Sequence, residues 1–275
     1  MCKTADRFRA GGGTSCQSDS TARSAGQWYH KHMNSYAPFT PKVALMVGAH
    51  ADDIDFGASG TAAKWAKEGA EVHYLIVTDG SKGSSDPAMT SEKLVQIREQ
   101  EQRAAAATLG AKEVHFLRYE DAMLEVTLPL KKDIVRVIRQ VRPDTVVMMD
   151  PTAVYAVWND MGFINHPDHR AAAQATLDAV FPLARDRLTF PDLFTQEHLE
   201  PHKVEHVLLI NMRSDQTYYV DITDVFETKV HALLKHASQI PDPDSVRAIL
   251  EQWASSAGTK TGTRYAEGFV RLDLR

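Results

Sequence analysis

The most constraining feature of this chain is an alternation. Val43-Ala44-Leu45-Met46-Val47 is a near-continuous apolar run that stops at Gly48, and from Gly60 to Glu68 the pattern turns helical before Gly69. Glu71 to Thr78 is strand-like and closes on Asp79-Gly80, after which a long helical stretch opens at Thr90 or Ser91 and ends at Leu109-Gly110. The same beat then sets strands at Glu113 to Leu117, Thr145 to Met149 and Val204 to Asn211 among helices at Leu130 to Val141, His169 to Val180 and Val225 to Ser238. A short apolar run without polar alternation marks a strand buried on both faces, and such strands need helices on both sides of a parallel sheet. The pattern therefore predicts βαβ units and an α/β fold, a Rossmann-like three-layer sandwich with a mainly parallel sheet. Ligands of open α/β sheets bind beyond the carboxyl ends of the strands. Three predicted strands end there in polar or glycine-bearing sequence, at His50-Ala51-Asp52-Asp53, Asp79-Gly80 and Asp150-Pro151.

A chain of 275 residues accommodates one large domain. Residues 1–38 are rich in Gly, Ser, Thr and charge and cannot bury enough apolar surface to offset their ordering entropy. They are expected to form a flexible leader, with Trp28 and Tyr29 docking locally, ahead of a single α/β domain over 39–275. The two cysteines, Cys2 and Cys16, both lie in that leader, so no disulfide staples the core. The N-terminus lacks the charged-then-apolar pattern of a secretory signal, and a cytoplasmic location is the expectation. A net charge of −5 gives no pull toward nucleic acid or an anionic membrane, and no apolar run approaches the roughly 20 residues that span a bilayer. A small molecule is the expected partner, and a homo-oligomer is compatible with a domain of this size.

Two clusters of metal-ligand residues fall where the fold predicts a ligand. The first, Ala49-His50-Ala51-Asp52-Asp53-Ile54-Asp55, sets an imidazole and three carboxylates directly after the first strand. Hydrolytic zinc takes about three protein ligands from His, Asp or Glu and leaves a position for water. His50 and Asp53 sit three apart across a turn, so both can point at one ion, while Asp52 points elsewhere, as a general base beside the metal must. The second cluster, Asn165-His166-Pro167-Asp168-His169-Arg170, presents two imidazoles from one side of a helix start. One would complete the metal site, and the other would hydrogen-bond a developing oxyanion or a leaving amine. Singly, each cluster reads equally well as helix capping, by Asp in the first and with a first-turn Pro in the second. Their joint placement on one rim favours the metal. Asp150 and Asp168 are the carboxylates placed to orient the histidines, and a turn before Pro151 is the competing role for Asp150. His236 is read as serving a helix dipole, and His73, His115, His202 and His206 as structural or surface residues.

Ala49-His50-Ala51-Asp52-Asp53 resembles the Ala-His-Pro-Asp-Asp motif of the LmbE/PIG-L family of zinc-dependent N-acetylglucosaminyl deacetylases, which includes mycothiol and bacillithiol pathway members. His166-Pro167-Asp168-His169 is similar to that family's second motif. The likeness runs over roughly residues 42–240 and includes Gly57-Ala58-Ser59-Gly60-Thr61, Thr78-Asp79-Gly80 and the helix bearing Arg98 and Glu101. The resemblance implies one zinc ion per chain on His50, Asp53 and His169, with Asp52 as general base. It implies His166 at the oxyanion or leaving amine and Arg98 in contact with the sugar. The implied reaction is hydrolysis of an N-acyl group, usually acetyl, from an amino sugar or a GlcNAc-containing conjugate. Tyr155 and Trp158, in the loop before the second motif, are placed to stack on a sugar face or to build that loop's own core.

Two positions depart from the family pattern. Ala51 stands where the first motif carries proline, and alanine can adopt the same turn at an entropic cost often under ~1 kcal/mol. Ile164 stands where some relatives carry a tyrosine that assists the oxyanion, which leaves that task to zinc and His166, or to Tyr155. Two rival functions share the fold. An amidase of a thiol-sugar conjugate would use the same metal core. A non-catalytic Rossmann-type binder of a sugar or nucleotide is disfavoured because Gly48-Ala49-His50 lacks the G-x-G-x-x-G fingerprint and carboxylates stand where phosphate would bind.

Overall fold

The computed structural model describes residues 36–158, 161–211 and 215–274. Nearly all of the expected leader, with Trp28, Tyr29 and both cysteines, and the side chain of Trp158 lie outside the described residues. Tyr36 and Phe39 already pack against the core.

Five apolar runs form the parallel part of one sheet: β1 (Val43–Gly48), β2 (Glu71–Thr78), β3 (Glu113–Tyr119), β4 (Thr145–Met149) and β7 (His206–Ile210). Their side chains alternate between two cores. In β1, Ala44 and Met46 join one core, while Leu45 and Val47 join the other. Burial on both faces is the reason these strands lack polar alternation. Two further strands, β8 (Tyr218–Asp221) and β9 (Ala266–Asp273), complete the sheet in the order β3-β2-β1-β4-β7-β9-β8, with β9 antiparallel to both neighbours.

Helices cover both faces. One side carries α1 (Asp53–Gly57), α2 (Ser59–Lys67), α3 (Ser91–Leu109), α7 (Phe226–Leu233) and α8 (Pro243–Thr261). The other carries α4 (Leu128–Val141), α5 (Pro167–Asp178) and α6 (Pro191–Thr195). Local chemistry sets their ends. The Thr90 hydroxyl accepts from the Lys93 amide at 3.3 Å to start α3, and Gly110 at φ 78° ends it. On α4, Leu130, Ile134, Val135 and Ile138 are enclosed at 0% exposure, so truncating Ile134 to Ala would cost on the order of 2–5 kcal/mol.

Three features differ from expectation. A short β-hairpin, β5 (Tyr155–Trp158) and β6 (Met161–Ile164), replaces the irregular loop before the second cluster. The first expected helix is preceded by the separate turn α1. The antiparallel end of the sheet and α8 are additions, since β8 is only four residues long and has one half-exposed face.

The order β3-β2-β1-β4 places the topological switch between β1 and β4, whose other neighbours lie on opposite sides. A crevice opens there at the carboxyl ends of both strands.

Candidate active site

Both sequence clusters meet in this crevice. His50 stands two residues past the end of β1, and α5 begins one residue after His166. The ring of His50 lies 4.8 Å from that of His166 and 5.2 Å from that of His169, centroid to centroid. His50, His166 and His169 offer nitrogens within 4.8 Å of one another and form a candidate cation site.

Hydrogen bonds decide which ring atoms face that site. His50 Nε2 lies 3.0 Å from Asp121 Oδ1 and 3.3 Å from Asp168 Oδ2, and because carboxylates only accept, Nε2 carries the proton. Its Nδ1 is thereby turned toward Asp53 Oδ2 at 3.6 Å. His169 is oriented by Asn165, whose Oδ1 is 2.9 Å from His169 Nδ1, leaving Nε2 at 3.0 Å from Asp53 Oδ1. Asp53 is held in turn by the His50 backbone amide, which donates to Oδ2 at 2.8 Å. His50 Nδ1 and His169 Nε2 thus both face the Asp53 carboxylate, and each of the three side chains is fixed from behind by a partner.

The electrostatics suit a cation. Burial works against a charge on His50, yet hydrogen bonds to Asp121, Asp168 and Asp53 outweigh it and push the imidazolium up to about 12. Asp53 stays well below the usual carboxylate range, because the neighbouring His169 and His50 outweigh its burial. Asp121 is likewise held down to about 2: burial raises it, and hydrogen bonds from His50 and the Lys82 amide prevail. The carboxylates gathered around these imidazoles favour positive charge there, and imidazole nitrogen with carboxylate oxygen is a donor set that suits a divalent cation taking the place of the proton.

Asp52 is set apart from its neighbours by its backbone. It sits at φ 98°, ψ −30°, a conformation that costs a non-glycine residue of order 1–3 kcal/mol. The surroundings hold it there. Arg98 Nη2 donates to the Ala51 carbonyl at 2.7 Å and lies 3.4 Å from Asp52 Oδ1, while the Asp52 amide donates to Gln102 Oε1 at 3.2 Å. Burial and the charge of Asp53 raise the Asp52 carboxyl to about 6, against the opposing pull of Arg98. Arg98 is 5% exposed and also donates to the Gly80 carbonyl at 3.3 Å. A Cβ at Gly80, whose φ is 65°, would meet that guanidinium at 3.0 Å, which explains the glycine.

Behind the turn runs a buried network. Gln102 Nε2 donates to Asp55 Oδ2 at 3.0 Å, Tyr74 donates to Asp55 Oδ1 at 3.1 Å, and His236 Nε2 lies 2.7 Å from Asp55 Oδ2. Asp55 and His236 are both fully enclosed, at 0% exposure. His236 therefore braces the turn that carries Asp52 from across the fold and does not serve an exposed helix end.

His166 is half-exposed. Its Nδ1 accepts from the Asp168 amide at 3.2 Å, which places the ring proton on Nε2. Burial and the two neighbouring histidines lower its pKa. Asp168 is buried and accepts from the Ala122 and Leu124 amides at 2.7 and 3.3 Å, so it ties the 122–124 segment to His50. Asp150 accepts from the Thr152 amide at 2.8 Å and from Asn211 at 3.3 Å, a turn-capping arrangement. Tyr155 stands on the hairpin at 70% exposure, beside Ile164 at 80%. The carboxylate beside His50 that the sequence did not single out is Asp121. It stands two residues past β3, on the same carboxyl rim as His50, and belongs to neither of the two sequence clusters.

Fold and site together define a class: α/β proteins with a candidate His/Asp cation site at the switch point of a mainly parallel sheet. Residues 45–180 match the PIG-L family, described as GlcNAc-PI de-N-acetylase. A diacetylchitobiose deacetylase of Thermococcus kodakarensis is 35% identical over 82% of this chain and 82% of its own. A 1D-myo-inositol 2-acetamido-2-deoxy-alpha-D-glucopyranoside deacetylase of Rhodococcus erythropolis is 28% identical over 72% of this chain and 81% of its own. The solved structure of N,N'-diacetylchitobiose deacetylase from Pyrococcus horikoshii superposes with a TM-score of 0.75 at 30% identity, covering 85% of this chain and 84% of that one. The chain belongs to the PIG-L family, and these relatives are N-deacetylases of GlcNAc-containing compounds. No helix among the described residues is long and apolar enough to cross a membrane.

Proposed function

We propose that this protein is a zinc-dependent N-deacetylase that hydrolyses the acetamide of an N-acetylated amino sugar or a conjugate of one. The reading is carried by the Asp53 carboxylate, next to Asp52 in the chain, which has His50 Nδ1 3.6 Å from its Oδ2 and His169 Nε2 3.0 Å from its Oδ1. His50, Asp53 and His169 would hold the metal. Zinc, when bound, supplies a Lewis acid for the amide carbonyl and hydroxide near neutral pH.

The chain's own residues do the rest. Asp52, raised toward neutrality, takes the proton of the attacking water. His166 would present its Nε2–H as a hydrogen bond to the oxyanion, and the proton that Asp52 takes from water would pass to the departing nitrogen, so the sugar leaves as its free amine and acetate is released. Arg98 acts on the turn that carries the base, because its guanidinium is occupied by Ala51, Asp52 and Gly80. Tyr155, on the exposed hairpin beside His166, is the group placed to meet the leaving portion of the substrate. The cytoplasm is the proposed place of action.

The test is metal content of chelator-free protein together with amine release from N-acetylglucosamine, N,N'-diacetylchitobiose and an N-acetylglucosaminyl inositol. One catalytic zinc per chain with amine release is expected. Absence of amine release from all three by zinc-loaded protein would overturn the substrate class, and absence of metal uptake would overturn the centre.

A further inference from the structure

The sheet brings a second histidine pair together, at the opposite end of its strands. β2 and β3 run side by side with His73 opposite Glu113 and Leu75 opposite His115, near the amino ends of both. The two imidazole rings are nearly parallel, 15° apart with centroids at 5.7 Å, and His115 Nε2 lies 3.5 Å from His73 Nδ1. That separation is long for an N–H···N hydrogen bond. It is close to the roughly 3.3 Å between neighbouring ligands of a tetrahedral zinc ion with Zn–N of about 2.0–2.1 Å.

The surroundings prepare both nitrogens. Glu113 Oε2 lies 3.7 Å from His115 Nε2, and donor atoms of His73, Glu113 and His115 all fall within 4.8 Å of one another. On the far side of His73, Glu71 Oε2 lies 3.9 Å from Nε2, and Nδ1 is the nitrogen that faces His115. Lys112 pairs with Glu71 and holds it on that side. Burial lowers the pKa of both histidines, which keeps them as the neutral imidazoles a metal needs. His73 is buried, whereas the Glu113 side chain is 58% exposed and leaves a path from solvent.

We propose that His73, His115 and Glu113 form a second, non-catalytic zinc site that clamps the edge strand β3 to β2. It shares no residue with the crevice at the carboxyl ends and does not depend on the deacetylase reading. Two of its ligands are on β3, the outermost strand of the sheet, so the ion would bridge a pairing that has no neighbour on its other side.

The experiment is calorimetric titration of Zn2+ into metal-stripped full-length protein, wild type and three variants, with thermal melts alongside. The wild type is expected to saturate at two equivalents per chain, and the second equivalent should raise the melting temperature. His115→Ala and Glu113→Gln, both changed on the accessible side, should lose that second equivalent or bind it at least tenfold more weakly, with amine release unchanged. His169→Ala should lose only the catalytic equivalent. Saturation of the wild type at one equivalent that His169→Ala abolishes would overturn the second site and leave the catalytic one standing. An undiminished second equivalent in both His115→Ala and Glu113→Gln would overturn the ligand assignment.

Discussion

The two ends of the same strands carry the same residue types, histidines with carboxylates, and differ in how these are held. At the carboxyl end, four aspartates surround three imidazoles, and each metal-facing atom is fixed from behind by Asn165, Asp121, Asp168 or a backbone amide. At the amino end, His73 and His115 face each other with glutamates whose side chains are more than half exposed. The strained backbone of Asp52 has no counterpart there, since positive φ among the described non-glycine residues of these strands occurs only at Arg118, near the far end of β3. Metal-ligand chemistry alone therefore does not distinguish a catalytic centre from a clamp. In the proposed reading the difference lies in a base, Asp52, held under strain beside the metal ligands, with the His166 Nε2–H opposite.

The strongest way to break this contrast is to empty the catalytic end. His169→Ala, or exhaustive chelation, is expected to reduce amine release to background, and zinc analysis should show the matching loss of one equivalent. Next in size is Asp52→Ala. Loss of a general base costs roughly 10²–10⁴-fold in turnover. Turnover should fall by that order while zinc at the catalytic site is retained. Unchanged turnover would mean that the strained turn carries no base.

A third substitution sharpens the comparison by testing the strain itself. Asp52 is held through Gln102 and Asp55 by His236, so Gln102→Leu and His236→Leu should each lower kcat about tenfold with little change in KM, roughly the loss of one or two buried hydrogen bonds. Because both act through one chain of contacts, the double variant should lose little more than either single one. Additive losses would show that His236 acts on overall stability and not on the base. His236→Asn, which keeps an N–H donor, should recover part of the activity.

The parallel half of the fold was legible because burial on both faces leaves β1, β2, β4 and β7 mostly apolar, and Gly48, Asp79-Gly80 and Asp150-Pro151 mark the ends of the first three. β8 and β9 were not legible. They are antiparallel, one is four residues long, and each places charged or polar side chains among the apolar ones. In the site, the ligands were readable because they lie within short segments, His50 to Asp53 and His166 to His169. Asp121, Gln102 and His236 were not, since their roles depend on contacts 50 to 181 residues away in sequence. His236 shows the limit well. Its position after a helix suggests an exposed dipole partner, and only tertiary packing reveals it as a fully enclosed partner of Asp55.

The smallest expected effect concerns proton binding at the amino end. Burial holds the pKa of His73 and His115 below the ordinary histidine value of 6.5, and the charge each would place beside the other lowers His73 further. The unfolded chain therefore binds more protons than the folded one just below pH 6.5, and stability must fall as the pH drops from there toward the depressed folded values. Above pH 6.5 the contribution is complete. Melting temperatures of metal-free protein between pH 7 and pH 5 should decline, and His115→Asn, which removes one titrating ring, should flatten part of that decline. Zinc at the clamp would steepen the dependence, because acid must then displace the ion as well. An identical pH slope in metal-free wild type and His115→Asn would show that the pair does not couple proton binding to folding, and would leave the carboxyl end as the only histidine cluster here whose charge state the fold controls.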